Sequence, residues 1–79
     1  MDESYGITVS LDLTGLKCPL PVLKARRQIN QMNGGVLEVL ADDSVAPLDF
    51  KHFCDTAGYE LVRNHVESGV FIFHIEVAG

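Results

Sequence analysis

The sequence predicts an α/β fold, a two-layer βαβαββ sandwich in which two helices cover one face of a mixed four-stranded sheet. Three observations lead to this prediction. Four segments alternate apolar with polar residues or form short apolar runs, which is typical of strands. Two segments place apolar residues at helical spacing, with proline in the first turn and glycine behind the last turn. A closing hairpin makes the last strand antiparallel, and right-handed crossovers lay both helices on one face.

The first half of the chain supplies a strand, a helix and a second strand. The first strand is predicted by apolar residues at every second position: Ile7, Val9, Leu11 and Leu13. Pro19 suits the first helical position, so Cys18 is expected to be the N-cap of the first helix. An apolar stripe at helical spacing runs along that helix: Val22, Ala25, Ile29 and Met32. Asn33-Gly34-Gly35 then ends the helix, and residues 36–41 form the second strand.

The second half supplies a helix and two strands. Asp42-Asp43-Ser44 offers an N-cap at Asp43 or Ser44, and Gly58 ends the second helix. The apolar side of this helix is expected to hold five residues: Ala46, Phe50, Phe53, Cys54 and Ala57. Residues 59–67 and 70–77 form a hairpin closed by Ser68-Gly69. The sheet face away from the helices would carry Val36, Leu40, Val70 and Ile72, either as scattered surface residues or beneath a partner or second copy.

Composition restricts the classes of protein to which the chain can belong. With 47% hydrophobic and 22% charged residues, residues 1–79 are expected to form one small globular domain. The net charge of −5 disfavours direct nucleic-acid binding. The chain start lacks the features of a signal peptide, and no apolar run approaches the ~18 residues of a membrane span. We therefore expect a cytoplasmic protein without a membrane partner.

Cys18 is the candidate reactive residue. Four of the six basic residues lie within ten positions of it: Lys17, Lys24, Arg26 and Arg27. A helix N-terminus and the Lys17 charge would both favour the thiolate, so the pKa of Cys18 is expected to lie below that of free cysteine. Because Pro19 and Pro21 lack N–H groups, Leu20 N–H is the donor expected to reach the sulfur.

The surroundings of Cys18 are typical of a docking site. Leu20, Leu23, Lys24 and Arg27 are expected to share the exposed face of the first helix and to bind an acidic partner. No His or Asp lies close in sequence to act as a base, which argues against a hydrolase. The pattern suits a thiol that carries a group supplied by another protein.

The segment Gly15-Leu16-Lys17-Cys18-Pro19-Leu20-Pro21 resembles the Cys-Pro-x-Pro signature of the TusA-like (SirA-like) sulfur-carrier proteins. The likeness spans roughly residues 7–77 and includes Ala41-Asp42-Asp43, Phe53-Cys54 and Gly58-Tyr59-Glu60-Leu61. It implies that Cys18 accepts a sulfane sulfur as a persulfide from a cysteine desulfurase or a rhodanese-type donor. The sulfur would then pass to a reactive cysteine of an acceptor protein, for tRNA thiolation or for sulfur oxidation. Gly15, Lys17, Pro19, Leu20 and Pro21 would support the thiol.

The resemblance implies a carrier rather than a stand-alone catalyst, and no cofactor is expected. Ser44 stands where many relatives have Pro, and Leu20 where some members active in tRNA thiolation have an acidic residue. Both pathways therefore stay open.

Two other classes of protein remain as alternatives. A redox protein could cycle a Cys18–Cys54 disulfide, provided that the two Cα atoms lie within ~7 Å. A regulatory module would need no reactive thiol. We expect Cys54 to be a packed small apolar residue with a raised pKa. His52 and Cys54 are too few ligands for zinc, so no metal site is predicted, and His65 and His74 are expected to face solvent.

Overall fold

The computed structural model describes residues 7–77, which form a four-stranded mixed sheet and two helices. The elements are β1 Ile7–Asp12, α1 Leu20–Asn30, β2 Gly35–Ala41, α2 Ala46–Ala57, β3 Glu60–Glu67 and β4 Val70–Val77. The strand order is β1-β2-β4-β3, in which β1 and β2 are parallel and the other two pairings are antiparallel. The predicted βαβαββ sandwich is confirmed. No helix among the described residues is long and apolar enough to cross a membrane.

The core lies between the sheet and the helices. Phe50 of α2 stacks on Phe73 of β4 with ring centroids 4.8 Å apart, and both side chains are fully buried. Cys54 is only 1% exposed, which confirms its predicted packing as a small apolar residue. The expectation for Ala57 was wrong. It is exposed because it lies in the last turn of α2 and borders an open groove.

Both helices begin later than the sequence suggested. Pro19 is the N-cap of α1 and Val45 is the N-cap of α2, and neither end has a side-chain cap. Cys18 is therefore not an N-cap, and neither Asp43 nor Ser44 caps α2. Gly58 ends α2 with φ = 84°, as predicted for a left-handed terminating residue.

The hairpin between β3 and β4 has the predicted turn. Ser68 and Gly69 both have positive φ, 52° and 81°, which matches a two-residue type I′ loop. In β4, Phe71, Phe73, Ile75 and Val77 lie on the helix side of the sheet, as alternation predicted.

The other sheet face is more polar than expected. Its four predicted apolar residues are half-buried: Val36, Leu40, Val70 and Ile72. Beside them, Glu38 accepts a hydrogen bond from Ser10 Oγ at 2.8 Å and lies 3.0 Å from His74 Nε2. His74 thus belongs to a half-buried polar cluster instead of simply facing solvent. It pairs across the sheet with Glu38 and Arg63, whereas His65 pairs with Ile72.

Candidate functional site

Cys18 is exposed in the loop between β1 and α1. Two carboxylates that follow β2 hold this loop. Asp42 Oδ1 accepts a hydrogen bond from Gly15 N–H at 2.9 Å, and Asp43 Oδ2 accepts one from Cys18 N–H at 2.7 Å. Because β1 and β2 are adjacent and parallel, their carboxyl ends bring the two loops together. Asp43, which was a candidate cap of α2, and its neighbour Asp42 therefore fix the backbone at the thiol instead.

The turn that carries Cys18 explains where α1 begins. Leu20 N–H donates to the Lys17 carbonyl at 2.8 Å, and the Cys18–Pro19 peptide is cis, as in a type VI turn. The Pro19 carbonyl accepts the first helical bond from Leu23 N–H at 3.1 Å. The expectation that Leu20 N–H reaches the sulfur was wrong, because that N–H is engaged by Lys17.

The thiol borders a groove of about 260 Å³ between α1 and α2. Arg26 lies on its α1 side, with its guanidinium carbon 5.9 Å from the centre of the Phe53 ring. The α2 side consists of residues at positions i, i+3, i+4, i+7 and i+8: Asp49, His52, Phe53, Thr56 and Ala57. Sequence reasoning missed this wall. The helical spacing was visible, but only the packing of α2 beside the β1–α1 loop directs that face toward Cys18.

The surroundings of the thiol shift the pKa of Cys18 in the direction opposite to the prediction. The pKa of Cys18 is raised, first because the thiol can donate a hydrogen bond to Asp49. Desolvation and the negative charges of Asp49 and Asp43 act in the same direction. Lys17 instead helps to lower the pKa of Asp43, a smaller cause there than the hydrogen bond from Cys18 N–H. The basic residues near Cys18 in sequence thus do not control the charge at its sulfur.

The second cysteine has no comparable access to solvent. Burial, and then the charge of Asp55, raises the pKa of Cys54 to about 11. Both cysteines are free thiols, one exposed and one buried. A Cys18–Cys54 disulfide would have to join the exposed loop to a thiol that is only 1% exposed. Among residues 7–77, no three potential ligands are grouped so as to hold a metal ion.

The predicted docking residues form a surface of their own. Leu20 and Leu23 are 44% and 49% exposed, and they line a shallow groove together with Lys24 and Arg27. We call these four residues the outer α1 face. This surface is distinct from the groove at the thiol. Among the residues expected to support Cys18, Gly15, Lys17, Pro19 and Leu20 are exposed, whereas Pro21 is buried against the core.

Known proteins are similar to this chain in sequence and in fold. The family described as Sulfurtransferase TusA matches residues 9–77. A Neisseria meningitidis serogroup A protein with a provisional sulfur-carrier name is 47% identical over 85% of this chain and 92% of its own. The sulfur carrier protein TusA of Allochromatium vinosum is 43% identical over 84% of this chain and 88% of its own. The crystal structure of a SirA-like protein from Desulfitobacterium hafniense has a TM-score of 0.82. It covers 91% of this chain and 100% of its own at 24% identity, which shows a shared fold.

Proposed function

Because the chain belongs to the TusA sulfurtransferase family, we propose that it is a sulfur carrier that holds a sulfane sulfur as a persulfide on Cys18. The observation that carries this proposal is the exposed Cys18 thiol at the mouth of the groove, on a loop fixed by Asp42 and Asp43. An exposed thiol on a fixed backbone can be reached by two partners in turn while keeping one position.

The proposed chemistry needs no external oxidant or reductant. The Cys18 thiolate attacks the terminal sulfur of a donor persulfide, a new S–S bond forms, and the donor cysteine leaves as its thiolate. In delivery, an acceptor thiolate attacks the outer sulfur on Cys18. The S–S bond to Cys18 then breaks, and Cys18 leaves as the thiolate. Each step exchanges one S–S bond for another.

The proposed partners are proteins on both sides of this relay. The donor is a cysteine desulfurase or a rhodanese-type enzyme, and the acceptor presents a reactive cysteine. The outer α1 face suits an acidic partner surface, because Lys24 and Arg27 surround two exposed leucines. The relay would feed tRNA thiolation or sulfur oxidation. We place it in the cytoplasm, whose reducing conditions keep such a thiol free.

Sulfur loading tests the proposal directly. After incubation with a cysteine desulfurase and cysteine, the intact protein should gain the mass of one sulfur. Cys18→Ser should gain none, whereas the matched control Cys54→Ala should load like wild type, because Cys54 is buried. Equal loading of wild type and Cys18→Ser would contradict a carrier that acts through Cys18.

A further inference from the structure

We propose that Asp49 is a positioning residue that keeps the sulfur carried on Cys18 in its protonated, electrophilic form until an acceptor thiolate attacks. This inference rests on the proposed carrier function and concerns how the carried sulfur is released. The chemical requirement is general. A persulfide anion repels an attacking thiolate, whereas the neutral S–S–H group presents an outer sulfur that a thiolate can attack.

The geometry puts Asp49 on the α2 wall of the groove that the Cys18 thiol borders. Asp49 and Cys18 line the same groove, and Asp49 N–H donates to the Val45 carbonyl at 3.0 Å in the first turn of α2. This bond fixes Asp49 on a rigid element opposite the loop that carries Cys18. The Asp49 side chain is half-buried, and within residues 7–77 it forms no ion pair. Its oxygens are thus available to an S–H group in the groove.

The other charged groups around Cys18 are less suited to this role. Asp43 Oδ2 already accepts the Cys18 N–H at 2.7 Å, and its Oδ1 lies 3.5 Å from Val45 N. Lys17 and Arg26 are cations and would favour the persulfide anion instead. His52 lines the groove with Asp49, so any effect of its titration on delivery must be tested separately.

Asp49 also makes the reduced thiol a weaker acid, and this has an opposing effect on delivery. The Asp49 carboxylate raises the pKa of Cys18, and a thiolate of higher pKa leaves more slowly. At pH values above the pKa of the carried sulfur, however, the protonated and electrophilic fraction rises about tenfold for each unit by which that pKa is raised. In thiol–disulfide exchange, the logarithm of the rate changes by only about 0.4–0.5 for each unit of the pKa of the attacking thiol. The proposal requires the gain in the electrophilic fraction to exceed the loss in leaving ability, and the alkaline part of the pH profile of delivery measures that balance.

The atoms balance in this step. The acceptor thiolate forms a bond to the outer sulfur, the bond between the outer sulfur and Cys18 Sγ breaks, and the electron pair leaves on Cys18. The proton stays on the transferred sulfur, so the acceptor becomes a neutral persulfide. Asp49 only accepts a hydrogen bond from the S–H group before the attack, and it is unchanged afterwards.

The test is the pH profile of delivery from the loaded, full-length protein to β-mercaptoethanol. Divided by the concentration of ionised acceptor at each pH, the wild-type rate should be level at low pH and should fall once the carried sulfur loses its proton. In Asp49→Asn the falling limb should move to lower pH, with a loss of delivery at alkaline pH. Asp49→Glu, which keeps the charge, should retain much of the wild-type profile. Asp55→Asn removes the same charge from the exposed side of α2, so its pH profile of delivery should match that of wild type.

Loading is measured first, by intact mass, so that two failures can be separated. If wild type gains no sulfur on Cys18, the proposed function is wrong and the inference falls with it. If Asp49→Asn loads but its falling limb does not move, only the inference is overturned. The same holds if His52→Gln or Asp55→Asn shifts the limb as far as Asp49→Asn does. If Asp49→Asn does not fold, Asp49→Glu serves as the test. The inference would be overturned if the falling limb of Asp49→Glu no longer lay at the pH of the wild-type limb.

Discussion

At the scale of single residues, access and acidity act in opposite directions on Cys18. The thiol is exposed, which favours reaction, while Asp49 disfavours the reactive thiolate. Cys54 is disfavoured on both counts, because burial blocks access and raises its pKa to about 11. The two cysteines of one chain therefore provide an internal comparison.

We predict that iodoacetamide alkylates Cys18 faster than Cys54 in the folded protein. The pH midpoint for Cys18 should lie above that of free cysteine, because its thiolate faces Asp49 and Asp43. Peptide mass after timed alkylation at several pH values measures both rates, and the unfolded chain serves as control. If the Cys18 midpoint lay below the midpoint of free cysteine, the result would favour the sequence-based prediction that the helix N-terminus lowers the pKa of Cys18.

Single-residue roles were predictable where the contacts are local. The burial of Cys54 follows from helical spacing, and the exposure of Leu20 and Leu23 follows from the same periodicity. The role of Asp42 was missed and that of Asp43 misassigned, because their partners lie 27 and 25 positions away along the chain. A paired aspartate before a helix is locally indistinguishable from a cap, and only the pairing of β1 with β2 decides its role.

At the scale of elements, α1 has one face in the core and a different face exposed to solvent. One face packs Ala25 and Ile29 into the core, and the outer α1 face presents two cations beside two leucines. Charges at the rim of an interface mainly change association rate and its salt dependence. A change on the outer α1 face should thus affect encounter with a partner more than the chemistry of the thiol.

We predict that reversing Lys24 and Arg27 to Glu slows sulfur transfer from or to an acidic partner, on the order of tenfold at low salt. The effect should shrink near 1 M salt, where the Debye length is ~3 Å. The fold should persist, because both side chains are exposed. Lys24→Glu alone can be compared with Lys51→Glu, an equal charge change on α2. Transfer that is equally fast in wild type and the double variant at low salt would mean that these cations only solvate the helix.

Element boundaries were predictable to within a few residues, and proline and glycine explain why. Gly58 and Gly69 adopt positive φ values that glycine allows, so the end of α2 and the position of the hairpin turn were predicted correctly. The start of α1 was displaced because Leu20 N–H closes a turn on Lys17 before the helix begins. That hydrogen bond delays the start of the helix, and the spacing of apolar residues does not indicate it.

At the scale of the whole molecule, carboxylates link stability to pH. Hydrogen bonds from His74 and then Ser10 lower the pKa of Glu38, and bonds from the side chain and backbone of Thr14 lower that of Asp12. A carboxyl group whose pKa is lower in the folded than in the unfolded state stabilises the fold above its unfolded pKa. This contribution is lost as pH falls through the folded pKa.

We predict that the free energy of unfolding falls as pH drops below the ordinary Glu pKa of 4.5, and that Glu38→Gln weakens this dependence. At neutral pH the variant should lose about 1 kcal/mol, because Glu38 is partly buried and accepts two hydrogen bonds. Urea unfolding at several pH values measures both effects, and Asp55→Asn is the exposed control. An unchanged pH dependence in Glu38→Gln would assign acid sensitivity to other carboxylates.

The fold as a whole was predictable because its signals are periodic and redundant. Alternation in β4 placed Phe73 and Ile75 on the core side, and helical spacing placed Phe50 and Cys54 opposite them. The wall of the Cys18 groove was not predictable in the same way. Asp49 and His52 meet the thiol only after α2 has packed beside α1, a contact that no local pattern encodes.

The hydrogen bonds that Asp42 and Asp43 accept from the Cys18 loop have an evolutionary consequence. They locate the thiol from a neighbouring strand end, and the outer α1 face contributes to that placement only through the backbone N–H of Leu20, which bonds to the Lys17 carbonyl. Selection can therefore alter the helix surface that a partner meets without relocating the sulfur. Under the proposed function, exchanging a few exposed side chains would direct the carrier to a different partner protein, and the scaffold that presents the thiol would be inherited intact.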